Sequence, residues 1–264
     1  MATARFMLLL CARAGAMVLV ALGVALGLGC ARANEPTLVE PGRLVSPYPA
    51  ASDVVWVVAP LTNESGSSLV DELAVTDELV NQIRQVRGLS ALPTNRALAA
   101  MRALEIPAIR TPAEAIALAT ATGADAVLVG TITAWDPYDP PELGLSVALF
   151  TRTGAMHGIA ATGSGTDPMT LRTAVREDAP TAGAVGMGPV SSVADHADAS
   201  NHAVLAEVKA FAVGRHDDRT ALGWQVYVKS MKRYTEFVCY RLMDRLLAAE
   251  RARVSTATGH DNTQ

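Results

Sequence analysis

The chain has 264 residues, of which 22 are basic and 26 acidic, for a net charge of −4. That balance gives no excess of positive charge to track a phosphate backbone, so nucleic acid is not an expected partner. The mean hydropathy of +0.24 traces to Ala-rich stretches and one amino-terminal apolar run, not to several membrane spans.

That run, Ala14 to Gly29, carries no charge and follows Arg5 and Arg13. It is short and Gly/Ala-rich for a span, and a basic flank leading into small residues is the layout of a secretory signal over residues 1–29. It ends in Leu26-Gly27-Leu28-Gly29-Cys30. A Cys directly behind small residues resembles the lipobox of bacterial lipoproteins, with Gly27 standing where that family usually has a branched residue. The resemblance implies cleavage before Cys30, a diacylglyceryl group on its thiol with further acylation of the palmitate type, and a membrane anchor. Ala31 in place of Asp after the Cys implies the outer membrane, with the domain facing the periplasm. The competing reading is an ordinary signal peptide with an incidental Cys. Cys11 leaves with the signal in either case, and an acylated Cys30 leaves Cys239 as the free thiol, with no disulfide inside the chain. The mature chain then has 20 basic against 26 acidic side chains, a net −6.

Residues 30–53 hold Pro36, Pro41, Pro47 and Pro49 and no apolar period, which predicts an extended tether. Val54 to Pro60 is a β-branched and aromatic run of the buried-strand kind. After a turn-rich loop, Leu69, Leu73, Val80, Ile83 and Val86 recur at helical spacing, with acids early, arginines late and Gly88 as the stop. Leu89 to Pro93 reads as a short strand. Thr94 or Asn95 then caps a helix presenting Leu98, Met101 and Leu104, and Thr111-Pro112-Ala113-Glu114 opens another that stops at Gly123. Asp125 to Trp135 and Leu143 to Arg152 are strands joined as a hairpin across Asp136-Pro137-Tyr138-Asp139-Pro140-Pro141.

Residues 155–200 are rich in Gly, Ala, Ser, Thr and Asp without a sustained period, which predicts a flexible low-complexity segment. A short helix follows near residues 201–211. Trp224, Tyr227, Met231, Tyr234, Val238, Leu242 and Leu246 then form an amphipathic stripe within a helical segment ending near residue 253, before a disordered tail at 254–264. The expected fold is α/β (α+β): a two-layer mixed sheet of about four strands in the order β-α-β-α-α-β-β, with packed helices and a long carboxy-terminal helix.

From Val54 to Gly154 the pattern resembles an α/β module shared by three envelope groups: curli-secretion lipoproteins, lipoprotein activators of penicillin-binding proteins, and the amino-terminal domain of the Tol-Pal propeller protein. The matching pieces are Val57-Val58-Ala59-Pro60-Leu61-Thr62-Asn63-Glu64-Ser65-Gly66, Asp77-Glu78-Leu79-Val80-Asn81-Gln82-Ile83, and Ala119 to Gly130. The resemblance implies a non-catalytic, lipid-anchored protein that works by contact with other envelope proteins, as adaptor, scaffold or activator, and it transfers no active-site residue. An oligomeric secretion channel of the curli type, a homo-oligomer, is the alternative. Such a channel needs hairpins of about ten alternating residues per strand, which residues 154–200 lack.

A metal-binding or hydrolytic envelope protein is the weaker alternative. His196 and His202 stand near Asp195 and Asp198, and His216 precedes Asp217 and Asp218, but these spacings match no ligand signature. The sequence implies no catalytic residue, cofactor or metal. Its candidate partner-facing residues are Trp135 and Tyr138 at the hairpin tip and Trp224 and Tyr227 near the carboxy-terminal helix, beside the lipidation candidate Cys30. For all four aromatics, packing on the sheet is the plainer role.

Overall fold

A computed structural model describes residues 40–48, 54–152, 188–217 and 219–261. Cys30 and most of the low-complexity segment, including any hairpins there, lie outside the described residues. The sheet is built of strands β1 (Val54–Val58), β2 (Thr62–Asn63), β3 (Leu89–Ala91), β4 (Ala126–Asp136), β5 (Glu142–Thr151) and β6 (Ser191–Asp198). The helices are α1 (Glu72–Gln85), α2 (Thr94–Ala103), α3 (Pro112–Thr122), α4 (His202–Ala212), α5 (Val226–Lys229) and α6 (Met231–Asp261).

The sheet is mixed, in the order β3-β1-β4-β5-β6, with β2 also paired to β4. Pairing of β1 with β3 and with β4 is parallel, whereas β4-β5 and β5-β6 are antiparallel. The two halves follow from the connections. Helical crossovers join the parallel strands, and a tight hairpin joins β4 to β5.

Alternation along the strands separates two apolar cores. Trp56, Leu128, Ile132, Leu143, Leu145 and Leu149 face one side, under Leu79 and Ile83 of α1 and Tyr234, Phe237 and Leu242 of α6. Val57, Ala59, Val127 and Val129 face the other, under Ala97 and Met101 of α2 and Leu118 and Ala119 of α3. The parallel half is therefore covered on both faces, as parallel strands require. The second helix layer reaches the end of β5, where Ala148 and Phe150 are buried, but not β6, and Ser146, Ala194 and His196 stand on the face left uncovered among the described residues. The mixed α/β class agrees with the sequence expectation, with six strands in place of about four.

Gly130, in the middle of β4, has a packing reason. A Cβ there would lie 2.7 Å from the Ser146 carbonyl oxygen and 2.9 Å from Leu61 Cδ2. Gly144 faces the bulge between Ile132 and Ala134, and a Cβ there would sit 2.5 Å from Thr133 Oγ1.

Several boundaries depart from the sequence reading. Helix α1 starts at Glu72, with Asp71 accepting from the Ala74 amide, so Leu69 and Leu73 are exposed and the buried face runs through Val75, Leu79, Val80 and Ile83. On α2 the buried residues are Thr94, Ala97 and Met101, with Leu104 exposed. The α3 start agrees: Thr111 and Glu114 form a reciprocal capping box and Gly123 closes the helix at φ 73°. The carboxy-terminal stripe is broken. A 3₁₀ turn at Gly223–Gln225 and the short α5 end at Ser230, whose extended backbone separates them from α6. Helix α6 itself continues to Asp261, through most of the expected tail.

Two larger corrections concern the segments expected to be free. Ser191–Asp198 forms β6 against β5, although it lies in the stretch read as flexible. Its alternation is carried by small residues, Ser191, Val193, Asp195 and Ala197, which a hydrophobic-period test does not detect. Residues 40–48, read as tether, dock on the domain. Arg87 N donates to Leu44 O and Ser46 N to Arg87 O, each at 3.0 Å, and Tyr48 is buried with its ring edge-on to Trp56 at 6.3 Å.

What holds both corrected segments is Glu250 of α6, which is fully buried. Its carboxylate accepts from Tyr48 Oη at 2.8 Å, from the Ser191 hydroxyl, and from Arg253 Nε and a terminal guanidinium nitrogen at 2.9 and 2.7 Å. Burial alone would raise its pKa, but the hydrogen bonds from Arg253, Ser191 and Tyr48, with the Arg253 charge, hold it below the ordinary glutamate value. A depressed carboxyl contributes stability above its unfolded pKa, and the contribution is lost as pH falls through the lowered folded value. Chemical denaturation across pH should therefore show wild-type stability declining on acidification below about pH 5. Glu250→Gln should be weaker at pH 7 by about 3–5 kcal/mol, the cost of stranding one buried partner, with a shallower acid slope. Equal slopes in both proteins would remove Glu250 from this role.

Candidate functional site

The β4-β5 hairpin projects an aromatic pair whose members divide their labour. Trp135 is half-buried and packs against the larger core, and its indole N–H has no hydrogen-bond partner among the described residues. Tyr138 stands at the tip with 71% of its surface exposed. The turn that carries it is fixed from several sides. Asp136 Oδ1 accepts the Tyr138 amide at 2.9 Å, Asp139 pairs with Lys229 of α5, and Pro137, Pro140 and Pro141 restrict the backbone. Ala199 N donates to Pro141 O at 3.0 Å, tying the tip to the end of β6. An exposed ring on a turn already held in place loses little conformational entropy when a partner covers it.

The other two aromatics lie near the start of the carboxy-terminal helix. Trp224, in the 3₁₀ turn, is half-buried against the core. Tyr227 is 2% exposed, and its ring meets Phe211 edge-on at 5.3 Å while its hydroxyl donates to Arg215 O. Burial raises its pKa. Tyr227 therefore packs inside the domain in this structure. Among the four candidates, the fold presents Tyr138 to solvent.

A second group escaped the sequence reading. Arg215 lies over the Phe211 ring at 4.2 Å and the Tyr240 ring at 5.0 Å, and donates to Phe211 O at 2.7 Å and Gly42 O at 2.9 Å. Nothing in the local pattern of Gly214-Arg215-His216 foretells it, because its partners come from a segment 173 residues earlier and from α6.

Several other titratable groups are held by structural contacts. Asp195 of β6 is buried and accepts from Arg245 at 2.7 Å. Arg241 Nε lies 3.1 Å from both Asp195 and Glu207, as charge contacts without hydrogen-bond alignment. His196 faces Glu142 at 3.4 Å, on the uncovered sheet face, and His202 opens α4 on the surface. His216 Nδ1 meets the Ala212 carbonyl. Among the described residues no three of His, Cys, Asp and Glu come together as a metal group. Burial pushes the Cys239 thiol well up, which disfavours the nucleophilic thiolate. No helix among the described residues is long and apolar enough to cross a membrane.

No family model and no curated protein sequence matches the chain. Among solved structures, the LpoB C-terminal domain from Salmonella enterica is 15% identical, with a TM-score of 0.35 over 61% of this chain and 85% of that one. Lipoprotein GNA1162 from Neisseria meningitidis is 17% identical, with a TM-score of 0.29 over 47% of this chain and 94% of that one. The hypothetical protein CT253 from Chlamydia trachomatis is 12% identical, with a TM-score of 0.35 over 77% of this chain and 96% of that one. At these identities and scores none assigns the chain to a family.

The two hairpin aromatics should separate in stability measurements. Trp135→Ala, which removes a half-buried indole, should cost about 2 kcal/mol and lower the melting midpoint by several degrees. Tyr138→Ala should leave the midpoint unchanged within about a degree, as a surface substitution does. Equal losses would show that the tip ring packs rather than projects.

Proposed function

We propose that this chain is a non-catalytic, lipid-anchored envelope protein that acts by touching other envelope proteins, with the β4-β5 tip as a contact point. The observation that carries this reading is Cys30, placed directly behind an uncharged apolar run and small residues. Acylation there would join the membrane to a domain whose first described residue, Glu40, is ten positions further on. Ten residues reach at most roughly 35 Å, so the domain would stay close to its membrane. Two or three acyl chains hold a protein firmly, whereas one holds it only marginally.

Ala31 favours the outer membrane as the destination and the periplasm as the compartment. Within that compartment the exposed Tyr138 supplies an apolar anchor with a polar handle, the kind of side chain that concentrates binding energy at interfaces. The buried Cys239 thiol and the pairing of Asp195 with Arg245 and of His196 with Glu142 support contact over catalysis.

Two variants test the two halves of the proposal. Cys30→Ser should lose incorporated fatty-acid label and leave the outer-membrane fraction. Tyr138→Ala should keep both the label and the fraction while losing about tenfold or more of the crosslinked partner recovered from cells, the effect of truncating an interface anchor. Unchanged labelling in the first variant would end the anchor argument, and unchanged recovery in the second would end the role of the tip.

A further inference from the structure

Where the docked amino-terminal segment crosses α1 and α6, an open cavity of about 310 Å³ is lined by Gly42, Arg43, Gln82, Arg84, Arg215 and Tyr240, among others. Three of the lining side chains are guanidinium groups, and no carboxylate lines the cavity. This is unusual in a chain with a net charge of −4. Glu40 and Asp217, the carboxylates nearest to the lining residues in sequence, are not part of that lining, and two others close by are engaged with neighbouring side chains. Glu78 accepts from Gln82 Nε2 at 2.6 Å, and Glu236 pairs with Arg233.

The three arginines are not equally free, and that gives the cavity its character. Arg215 is held by two ring faces and two backbone carbonyls, so its position is fixed before any ligand arrives. Arg84 spends its Nε–H on the Ala91 carbonyl at 3.1 Å, which steers the guanidinium while leaving its terminal nitrogens uncommitted in the hydrogen bonds found. Arg43 makes no ion pair among the described residues and is exposed. One fixed cation with N–H hydrogens beyond its two carbonyl bonds, one steered fork and one exposed fork around a concavity suit an anion with several oxygens and more than one negative charge. A single carboxylate is satisfied by one fork, whereas a phosphoryl group has oxygens for two or three.

We propose that this cavity binds a phosphate-bearing anion through Arg43, Arg84 and Arg215. The phosphate can belong to a soluble phosphorylated compound or to the headgroup of an anionic phospholipid. The site depends on docking of residues 41–44, so it exists only when the amino-terminal segment is seated on the domain. It is independent of whether Cys30 carries lipid.

The full chain, purified in a non-ionic detergent, can be titrated calorimetrically with inorganic pyrophosphate and, separately, with dihexanoyl phosphatidylglycerol. Wild-type protein should bind at least one of them saturably at one site. The double variant Arg43→Gln/Arg84→Gln, which touches only exposed side chains, should keep its melting midpoint and bind about tenfold or more weaker. Arg215→Lys keeps the charge but loses the planar fork, and should also weaken binding. Preference for pyrophosphate assigns the cavity to a soluble phosphate, and preference for the lipid assigns it to a headgroup. Absence of saturation with both probes up to about 10 mM, or equal affinity in the folded double variant, would overturn the proposal.

Discussion

The fold depends on a carboxylate with no access to water. Glu250 gathers Tyr48, Ser191 and Arg253 around its two oxygens, and so joins the amino-terminal segment, the start of β6 and the last turns of α6 at one point. Removing a carboxylate and a guanidinium from water costs several kcal/mol for each ion, and the cost is offset only when the remaining lone pairs and protons are satisfied. The three segments are therefore coupled. If Tyr48 or Ser191 leaves, Glu250 loses a donor in a place where water is excluded.

Asp195 repeats the device one step along β6. It is 3% exposed and faces Arg241 and Arg245, which lie four apart on α6 and so share a face. With Glu250 five residues further on, charge marks the register between the edge strand and the long helix, while Phe237, Leu242 and Leu246 supply the apolar contact. Two outward features follow from that register. Helix α6 brings Tyr240 under Arg215, which shapes the arginine cavity. The segment before it places Lys229 against Asp139, which steadies the tip carrying Tyr138.

The parallel half of the fold was legible because its signals are local. The run Val54 to Val58, the Thr111-Pro112-Ala113-Glu114 cap and the alternation after Thr131 each declare an element within a few residues, and each stands in the structure. What escaped notice rests on partners far apart in sequence. Tyr48 meets Glu250 across 202 positions and Arg215 meets Gly42 across 173, so no window of the sequence could show residues 40–48 docked or three arginines around one cavity. Strand β6 was missed for a different reason: most of its inward residues are small or polar, and the Asp195 ion pairs and the Ser191 hydrogen bond to α6 join Ala197 and Val193 in seating it. Among the candidate contact aromatics, spacing placed Tyr227 with Trp224 in the carboxy-terminal stripe and Tyr138 at the hairpin tip, and only the packing of Phe211 against Tyr227 shows that ring to be buried while Tyr138 is exposed.

The proposed anchor at Cys30 and the exposed tip at Tyr138 are the two parts of the proposed contact role, and Glu250 and Asp195 are held inside the domain by ion pairs to arginines. The intact mass of the chain extracted from cell membranes tests this most directly. The expected result is a polypeptide beginning at Cys30 with the added mass of a diacylglyceryl group and a further acyl chain. A chain beginning at any other residue, or at Cys30 without added lipid mass, would contradict it.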